Sequence, residues 1–375
     1  MLLSKVKQTL TALAGSALLV CSGGVSADYG LNLPRGVTSI SKEAYDLHML
    51  IMWICVAIGV VVFGAIFISI LKHRKSKGAK PATFHESTTV EIIWTIVPFL
   101  ILIGMAIPAT KALVAMEDTS NPDLSIKVTA YQWKWGYDYM DEGVSFISSL
   151  STPKEQILNE QEKGQNYLLE VDNPLVVPVN KKVRLLLTAN DVIHSWWVPD
   201  LGMKKDAIPG FVNEMWFRVD EEGTYRGQCA ELCGKDHGFM PIVVVAKNDE
   251  DYQQWVTAQK TAMDADAAAA GRDWNMADLM ERGEKVYNTS CAACHQANGE
   301  GIPGAFPGLK GSAVATGPIP AHIDIIINGK SGTAMAAFGG QLNDIDIAAV
   351  VTYERNAWDN NTGDLVQPSE VKAAR

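Results

Sequence analysis

The sequence predicts a multidomain membrane protein that consists of a two-helix transmembrane hairpin, an all-β sandwich and an all-α domain, in that order. Two apolar runs, 49–71 and 92–109, predict the hairpin, because each is long enough to cross a bilayer as a helix. Short alternating segments rich in Val, Ile, Trp, Tyr and Thr predict the sandwich within 121–247. Helical patterning at 276–288 and 345–357 predicts the α-helical domain.

The N-terminus has the pattern of a secretory signal peptide. Lysines near the start are followed by a short apolar core at 10–20, and a small-residue cleavage site ends at Ala27. Cys21 suggests a lipoprotein signal as an alternative, so the sequence leaves open whether this cysteine is lipidated.

A basic cluster between the two apolar runs predicts the orientation of the hairpin. Lysines and an arginine are concentrated between 72 and 80, and such clusters stay in the cytoplasm. The chain therefore crosses in and back out, and everything after about Lys111 faces the exterior or periplasm. This predicts a multi-pass protein of the bacterial inner membrane, in contact with lipid, whose later domains lie on the periplasmic or outer side.

These features divide the chain into five segments. They are the signal peptide at 1–27, an N-terminal segment with the hairpin at 28–120, the β-sandwich at 121–247, a linker at 248–273 and the α-helical domain at 274–375. The linker is acidic and alanine-rich, and we expect a tether that is in part helical. The formal net charge of -10 predicts no nucleic acid partner, since no basic surface is evident.

A cluster of soft metal ligands is the most informative part of the sequence. Cys229, Cys233, His237 and Met240 lie within twelve positions, and His194 lies upstream. Thiolate, imidazole and thioether ligands favour copper over magnesium, calcium or manganese. Because this set exceeds what one copper ion needs, it predicts a dinuclear copper electron-transfer site.

In this interpretation the two thiolates bridge two copper ions, and each histidine completes one position. Met240 is then a weak outer ligand to one ion, and Glu231 offers its backbone carbonyl to the other. A local disulfide between Cys229 and Cys233 is one alternative, but it leaves the His and Met spacing unexplained. A zinc site is the other, and it leaves Met240 unused.

The segment Cys291-Ala-Ala-Cys294-His295 predicts covalent attachment of haem c. The two thiols would form thioethers with the haem, and His295 would bind the iron from one side. Met335 is the only methionine after the motif, so it is the expected sixth ligand. His322 is the rival ligand, and a thioredoxin-like redox pair is the alternative for the two cysteines.

Residues 229–240, here called the copper loop, resemble the copper-binding segment in subunit II of the haem–copper cytochrome c oxidases. The resemblance extends to the His194 segment, to the aromatic segment Tyr131-Gln-Trp-Lys-Trp-Gly-Tyr and to the double membrane span. The resemblance covers roughly 28–247 and implies a cupredoxin-like sandwich with a binuclear CuA centre. Residues 276–375 resemble a class I cytochrome c domain, although Ala336 stands where many relatives place proline. A cytochrome c fused behind subunit II is the arrangement of the caa-type oxidases.

The resemblance also implies roles for three further residues. Trp133 matches the exposed tryptophan through which electrons enter CuA, although the aromatic residues at odd positions within 131–139 also suit one packed face of a strand. The Glu231 side chain would reach a magnesium ion shared with subunit I. Glu91 would open a proton pathway into subunit I, and a capping box with Thr88 is a structural explanation that can coexist with it.

The implied function is that of the membrane-anchored electron-input subunit of a terminal cytochrome c oxidase. Electrons would pass from a donor, such as a cytochrome c or quinol–cytochrome c reductase, to haem c, CuA and subunit I. There oxygen would be reduced to water with proton translocation, so no catalytic residue is expected in this chain. Subunits I and III and the machinery for copper insertion and haem attachment are the implied partners. The classes of protein that rival this interpretation are a metal-free quinol oxidase subunit, a copper-delivery or storage protein and a nitrous oxide reductase.

Overall fold

A computed structural model describes residues 32–80, 83 and 85–375 of the chain. The predicted signal peptide, with Cys21, lies outside the described residues. The chain divides into two compact units, Met1–Arg35 and Gly36–Arg375, and every element described below belongs to the second.

Two long apolar helices form the hairpin, α1 at Ser39–Lys72 and α2 at Thr88–Glu117. Both are long and apolar enough to cross a membrane, and most of their large apolar side chains are exposed. They extend beyond the predicted runs because the polar turns at their ends are also helical. Before α1, the Thr38 hydroxyl accepts a hydrogen bond from the Ser41 amide (2.9 Å) and donates one to the Leu201 carbonyl (2.8 Å). This cap fixes the start of α1 to the domain that follows.

The capping box expected between Thr88 and Glu91 is wrong. Thr88 is the first residue of α2, and Ser87 at the cap position makes no side-chain capping bond within the described residues. Glu91 is exposed in the first turn of the helix, where a carboxylate interacts favourably with the helix dipole.

The middle of the chain is a β-sandwich of two five-stranded sheets, with the orders β3-β2-β1-β5-β8 and β4-β10-β9-β6-β7. The strands are β1 Leu124–Tyr131, β2 Lys134–Tyr139, β3 Val144–Ser148, β4 Leu175–Pro178, β5 Val183–Ala189, β6 His194–Val198, β7 Met203–Ala207, β8 Asn213–Phe217, β9 Gly223–Cys229 and β10 Pro241–Lys247. A short helix, α3 at Lys154–Ile157, lies between β3 and β4. Leu185, Leu187 and Phe217 are fully buried in the common core, and each such side chain contributes about 1.5–3 kcal/mol.

The aromatic segment is not one continuous strand, so the expected single face of five aromatic side chains is wrong. β1 ends at Tyr131, the chain turns at Gln132 and Trp133, and β2 begins at Lys134. The turn leaves Trp133 half-buried at the edge of the core. The aromatic residues of β2 that share the buried inner face are Trp135, Tyr137 and Tyr139.

The segment expected to form a linker contains a 22-residue helix, α4 at Asp249–Ala270. Near its start, Tyr252 and Val256 are buried in the core of the sandwich. Near its end, Ala269 packs against a small cluster that includes Leu279 of the next helix. The helix that was expected in part of this segment therefore fills most of it, and because both of its ends are packed, α4 is a strut between the sandwich and the next helix.

The C-terminal helical unit, residues 274–375, follows α4. Its helices are α5 Met276–Ser290, α6 Ala292–His295, α7 Ile319–Asn328, α8 Asp344–Asn356 and α9 Pro368–Ala374. The predicted helices at 276–288 and 345–357 correspond to α5 and α8, which pack closely because Gly283 of α5 approaches the Ala349 carbonyl. The predicted fold class is therefore confirmed as an apolar hairpin, a β-sandwich and a helical C-terminal region.

Candidate functional site

Antiparallel pairing of β6 and β9 brings the first two candidate ligands together. His194 is the first residue of β6 and Cys229 is the last residue of β9, and Trp196 pairs with Cys229 in the sheet. Cys229 Sγ lies 4.0 Å from His194 Nδ1, and both side chains are buried. The register of the sheet therefore joins residues that are far apart in sequence.

The loop between β9 and β10 supplies the remaining candidate ligands. Cys233 Sγ lies 3.8 Å from Cys229 Sγ, 3.4 Å from His237 Nδ1 and 3.5 Å from Met240 Sδ. Cys229 Sγ also lies 3.3 Å from the carbonyl oxygen of Glu231, whose side chain is exposed. The six positions predicted for copper therefore meet in one cluster.

The chemistry of this donor set suits copper. Both thiols are free, and their separation far exceeds the disulfide bond length of about 2.05 Å. The ligand atoms of His194, Cys229 and Cys233 lie within 4.8 Å of one another. The thioether of Met240 beside them favours copper over zinc, which takes thiolate, imidazole and carboxylate ligands. The residues present thus fit a dinuclear copper centre.

Asp191 orients His194. The Nε2 atom of His194 donates to Asp191 Oδ1 at 2.8 Å, which leaves Nδ1 facing the thiols. Asp191 also accepts hydrogen bonds from the Gln132 and Val192 amides, each at 2.7 Å, so the carboxylate is itself held in place. Burial lowers the pKa of His194, but the hydrogen bonds with Asp191 and Cys229 outweigh it and raise the pKa overall.

We expect Asp191→Asn to weaken copper binding by about tenfold to a hundredfold, because partners of this kind orient a metal-bound imidazole and raise its basicity. Competition with a copper chelator would measure the change. Asp206→Asn is the matched control, since Asp206 is a partly exposed carboxylate of the same sheet. Equal copper affinities of the two variants would contradict the role of Asp191.

The two thiols of the cluster titrate as a pair. The hydrogen bond from Cys233 lowers the pKa of Cys229, and the same contact raises the pKa of Cys233. The first proton of the pair is therefore lost more easily than the second. Since a metal binds thiolates, metal binding favours loss of both protons.

Aromatic side chains bind the copper loop to β2 and to the turn before it. The indole N–H of Trp133 donates to the Cys233 carbonyl at 3.1 Å, and that of Trp135 donates to the Met240 carbonyl at 3.2 Å. The Lys235 ammonium lies 5.2 Å from the centre of the Trp133 ring. Trp133, the predicted point at which electrons enter, therefore touches the backbone of a candidate copper ligand.

The C-x-x-C-H motif lies on α6 and its cap. Cys291 is the cap, and both Cys291 and Cys294 are partly exposed. Burial raises the pKa of both thiols. The Nδ1 atom of His295 donates to the Pro307 carbonyl at 2.8 Å, which fixes the ring and leaves Nε2 for another partner. Two thiols and an oriented imidazole on one turn fit a covalently attached haem.

The structure places the two rival iron ligands differently. Met335 lies half-buried in the loop between α7 and α8. His322 is buried in α7, and its Nε2 atom lies 2.8 Å from Glu354 Oε2 of α8. One nitrogen of His322 is thus used in packing two helices together, while its Nδ1 atom is buried without a hydrogen-bond partner among the described residues.

Three family models match the chain. They are the periplasmic domain of cytochrome c oxidase subunit II at residues 124–247, the transmembrane domain of the same subunit at 26–112, and subunit III of cbb3-type cytochrome c oxidase at 278–353. The first two cover the sandwich and the hairpin. The third covers α5 to α8 and includes the C-x-x-C-H motif.

Curated relatives and solved structures are similar to parts of the chain. A probable cytochrome c oxidase subunit 2 of Rickettsia prowazekii is 42% identical over 226 residues, which are 60% of this chain and 71% of the relative. Cytochrome c oxidase subunit 2 of Cyanidium caldarium is 39% identical, over 58% of this chain and 86% of the relative. The periplasmic domain of subunit II of cytochrome oxidase (CoxB) of Bradyrhizobium japonicum is 43% identical, with a TM-score of 0.35, over 38% of this chain and 98% of that chain.

The hairpin, the sandwich with its soft-ligand cluster and the haem-attachment motif define a membrane-anchored subunit of an oxidoreductase complex. The chain belongs to the cytochrome c oxidase subunit II family, and it carries a cytochrome c domain. Its oxidase domain implies CuA copper, its cytochrome c domain implies haem, and the family implies subunit I as a partner. It is a membrane protein with a periplasmic domain.

Proposed function

We propose that this chain is the electron-input subunit of a terminal cytochrome c oxidase. With haem c and CuA bound, electrons would pass from an external donor through the haem and the copper centre to subunit I, where oxygen would be reduced to water with proton translocation. The cluster around Cys233 carries the proposal, because two thiols, two imidazoles, a thioether and a carbonyl meet there. The oxygen-reducing site belongs to another subunit, so this chain contributes no catalytic residue.

We assign the copper ligands from the contacts of that cluster. The thiolates of Cys229 and Cys233 would hold the metal ions together with Nδ1 of His194 and of His237, the Met240 thioether and the Glu231 carbonyl. When bound, the copper pair accepts and releases one electron. The buried ligands and the Asp191 hydrogen bond hold the site in one geometry, which suits electron transfer with little reorganisation.

We assign Cys291 and Cys294 to covalent attachment of haem c, and His295 and Met335 to its iron. The hydrogen bond from His295 to the Pro307 carbonyl supports the first ligand, because it fixes the tautomer that leaves Nε2 free. Met335 is assigned as the other because it is the only methionine after the motif and lies half-buried in a loop, whereas His322 is buried within a helix. A Met/His pair raises the haem potential, as a carrier between high-potential partners requires.

Three more roles complete the proposal. Trp133 receives electrons for the copper loop, and its hydrogen bond to the Cys233 carbonyl supports this role. The exposed Glu231 side chain is available to a magnesium ion shared with subunit I. Glu91, exposed at the start of α2, is the candidate opening of a proton pathway. The proposed partners of the chain are subunit III and lipid of the bacterial inner membrane. The proposed electron donor is a cytochrome c or quinol–cytochrome c reductase, and the copper-insertion and haem-attachment machinery would act on the chain during assembly.

The purified oxidase should contain two coppers and one covalent haem c in this chain. Metal analysis, denaturing gels stained for haem, and visible and electron paramagnetic resonance spectra would measure them. A copper signal shared equally by two ions would support the dinuclear centre. A single zinc, or a copper content that does not depend on Cys229 and Cys233, would reject it.

A further inference from the structure

Lys134 occupies an unusual position in the sandwich. It is the first residue of β2, next to the inward-facing Trp135, so strand alternation directs its side chain to the outer face of the sheet. A lysine on an outer face is normally solvated, yet Lys134 is only 5% exposed. The C-terminal helical unit covers it.

The partners of the Lys134 ammonium come from that unit. Its Nζ atom lies 3.4 Å from the Ser290 hydroxyl and 5.0 Å from the centre of the Phe338 ring. Ser290 directly precedes Cys291, the first residue of the haem-attachment motif. Burial lowers the pKa of Lys134 to about 8, although the charges of Asp172 and Asp191 act in the opposite direction. The hydroxyl and the aromatic face therefore only partly replace the water that the ammonium has lost.

The residue before Lys134 makes the matching contact on the copper side. The Trp133 indole donates to the Cys233 carbonyl at 3.1 Å, and Gln132 Nε2 donates to the same oxygen at 2.8 Å. Two consecutive residues thus touch the two redox segments: Trp133, at the end of the turn, touches the copper loop, and Lys134, at the start of β2, touches the residue next to Cys291. The strut α4, packed at both ends, holds the two domains at a fixed separation.

We propose that Lys134 is a positioning residue, which seats the haem-attachment segment against the copper side of the sandwich so that electrons cross through the Trp133–Lys134 dipeptide. This inference rests on the proposed function of the chain. One electron is lost by the haem and gained by the copper pair, and no bond forms or breaks. Trp133 is then reached from the tethered haem, and an external donor delivers its electrons to the haem.

Lys134 determines where the C-terminal helical unit docks on the sandwich and contributes little to the affinity between the two. A buried ammonium with weak partners costs free energy compared with an apolar side chain of the same size. If the C-terminal helical unit docked in another position, the buried ammonium would lack the Ser290 hydroxyl and the Phe338 ring. That arrangement would cost more free energy than the observed one. The seated arrangement is therefore preferred because the alternatives are penalised.

The test compares Lys134→Met, Lys134→Arg and Lys127→Met in the complete oxidase. Lys127 is the control, because it is about half exposed in the neighbouring strand β1. Flash reduction of haem c followed by the copper absorbance gives the rate of the internal transfer. We expect Lys134→Met to slow it by at least about tenfold, as misplacement of reacting groups by a fraction of an ångström to 1 Å does in other systems. Lys134→Arg should restore most of the rate, and the potentials of both centres should not change.

A second measurement does not depend on electron transfer. In the native oxidase, amine acylation followed by mass spectrometry should label Lys127 and Lys285 readily and leave Lys134 protected. Labelling of Lys134 at the rate of Lys127 would overturn the seated arrangement, and so would an unchanged transfer rate in Lys134→Met or an equal loss in Lys134→Arg. Intact copper and haem signals with any of these results would reject this inference alone. Missing copper or haem in the native oxidase would reject the proposed function instead.

Discussion

Cys229→Ser should abolish the dinuclear copper signal and reduce oxidase turnover by more than about a hundredfold. Loss of a residue that only hydrogen-bonds a metal ligand costs up to about a hundredfold, and loss of a ligand itself should cost more. Cys229 is buried and contacts His194, Cys233 and the Glu231 carbonyl, so its replacement removes the one atom that all three share. Serine fills nearly the same volume, and its hydroxyl is a hard donor that does not replace a thiolate on copper. The variant should therefore fold while it fails to hold two coppers.

Copper content, the electron paramagnetic resonance spectrum and oxygen consumption would be measured on the same preparation. Cys55→Ser is the control, because Cys55 is an exposed thiol of α1 outside the cluster. The haem c spectrum should persist in both variants, which separates loss of the copper centre from loss of the chain. Two coppers retained in Cys229→Ser would contradict the assignment of this thiol as a bridge.

The sequence predicted the candidate copper ligands because their chemistry is concentrated in one short loop. Cys229 ends β9, and Cys233, His237 and Met240 follow in the loop before β10, so any fold that closes the loop brings them together. The approach of His194 depends on the pairing of β6 with β9, and pairing partners are not visible in a single sequence. The contact of Asp191 with His194 is local, and the position of Asp191 three residues before His194 was a signal that could have revealed it.

Tertiary contacts determine what the sequence did not predict. Alternation suggested a strand through Trp133, but the chain turns there, because the indole bonds to the Cys233 carbonyl across the site. The segment 248–273 has the composition of a tether, yet its first apolar residues enter the core of the sandwich and fix a helix. Local composition identified the segments and their chemistry, and long-range packing set their relative positions.

His295→Gln should leave haem covalently attached to Cys291 and Cys294 but remove one of its two axial ligands. We expect the low-spin visible spectrum to be lost and turnover with an external donor to fall by more than about a hundredfold, since the Met/His pair sets the potential of the carrier. The hydrogen bond of His295 Nδ1 to the Pro307 carbonyl shows that the ring is held for a partner at Nε2. The copper signal should remain.

His322→Gln is the matched variant, because His322 is the other buried imidazole of the same helical unit. A glutamine amide can still donate to Glu354, so the haem spectrum and the turnover should stay close to those of the native protein. Any cost should be confined to stability and should stay below the about 1–3 kcal/mol of a buried group left without a partner, and thermal unfolding would measure it. A spectrum that changes in His322→Gln and persists in His295→Gln would exchange the roles of the two histidines. Because the one imidazole is held by a backbone carbonyl and the other by a buried carboxylate, we expect the opposite result.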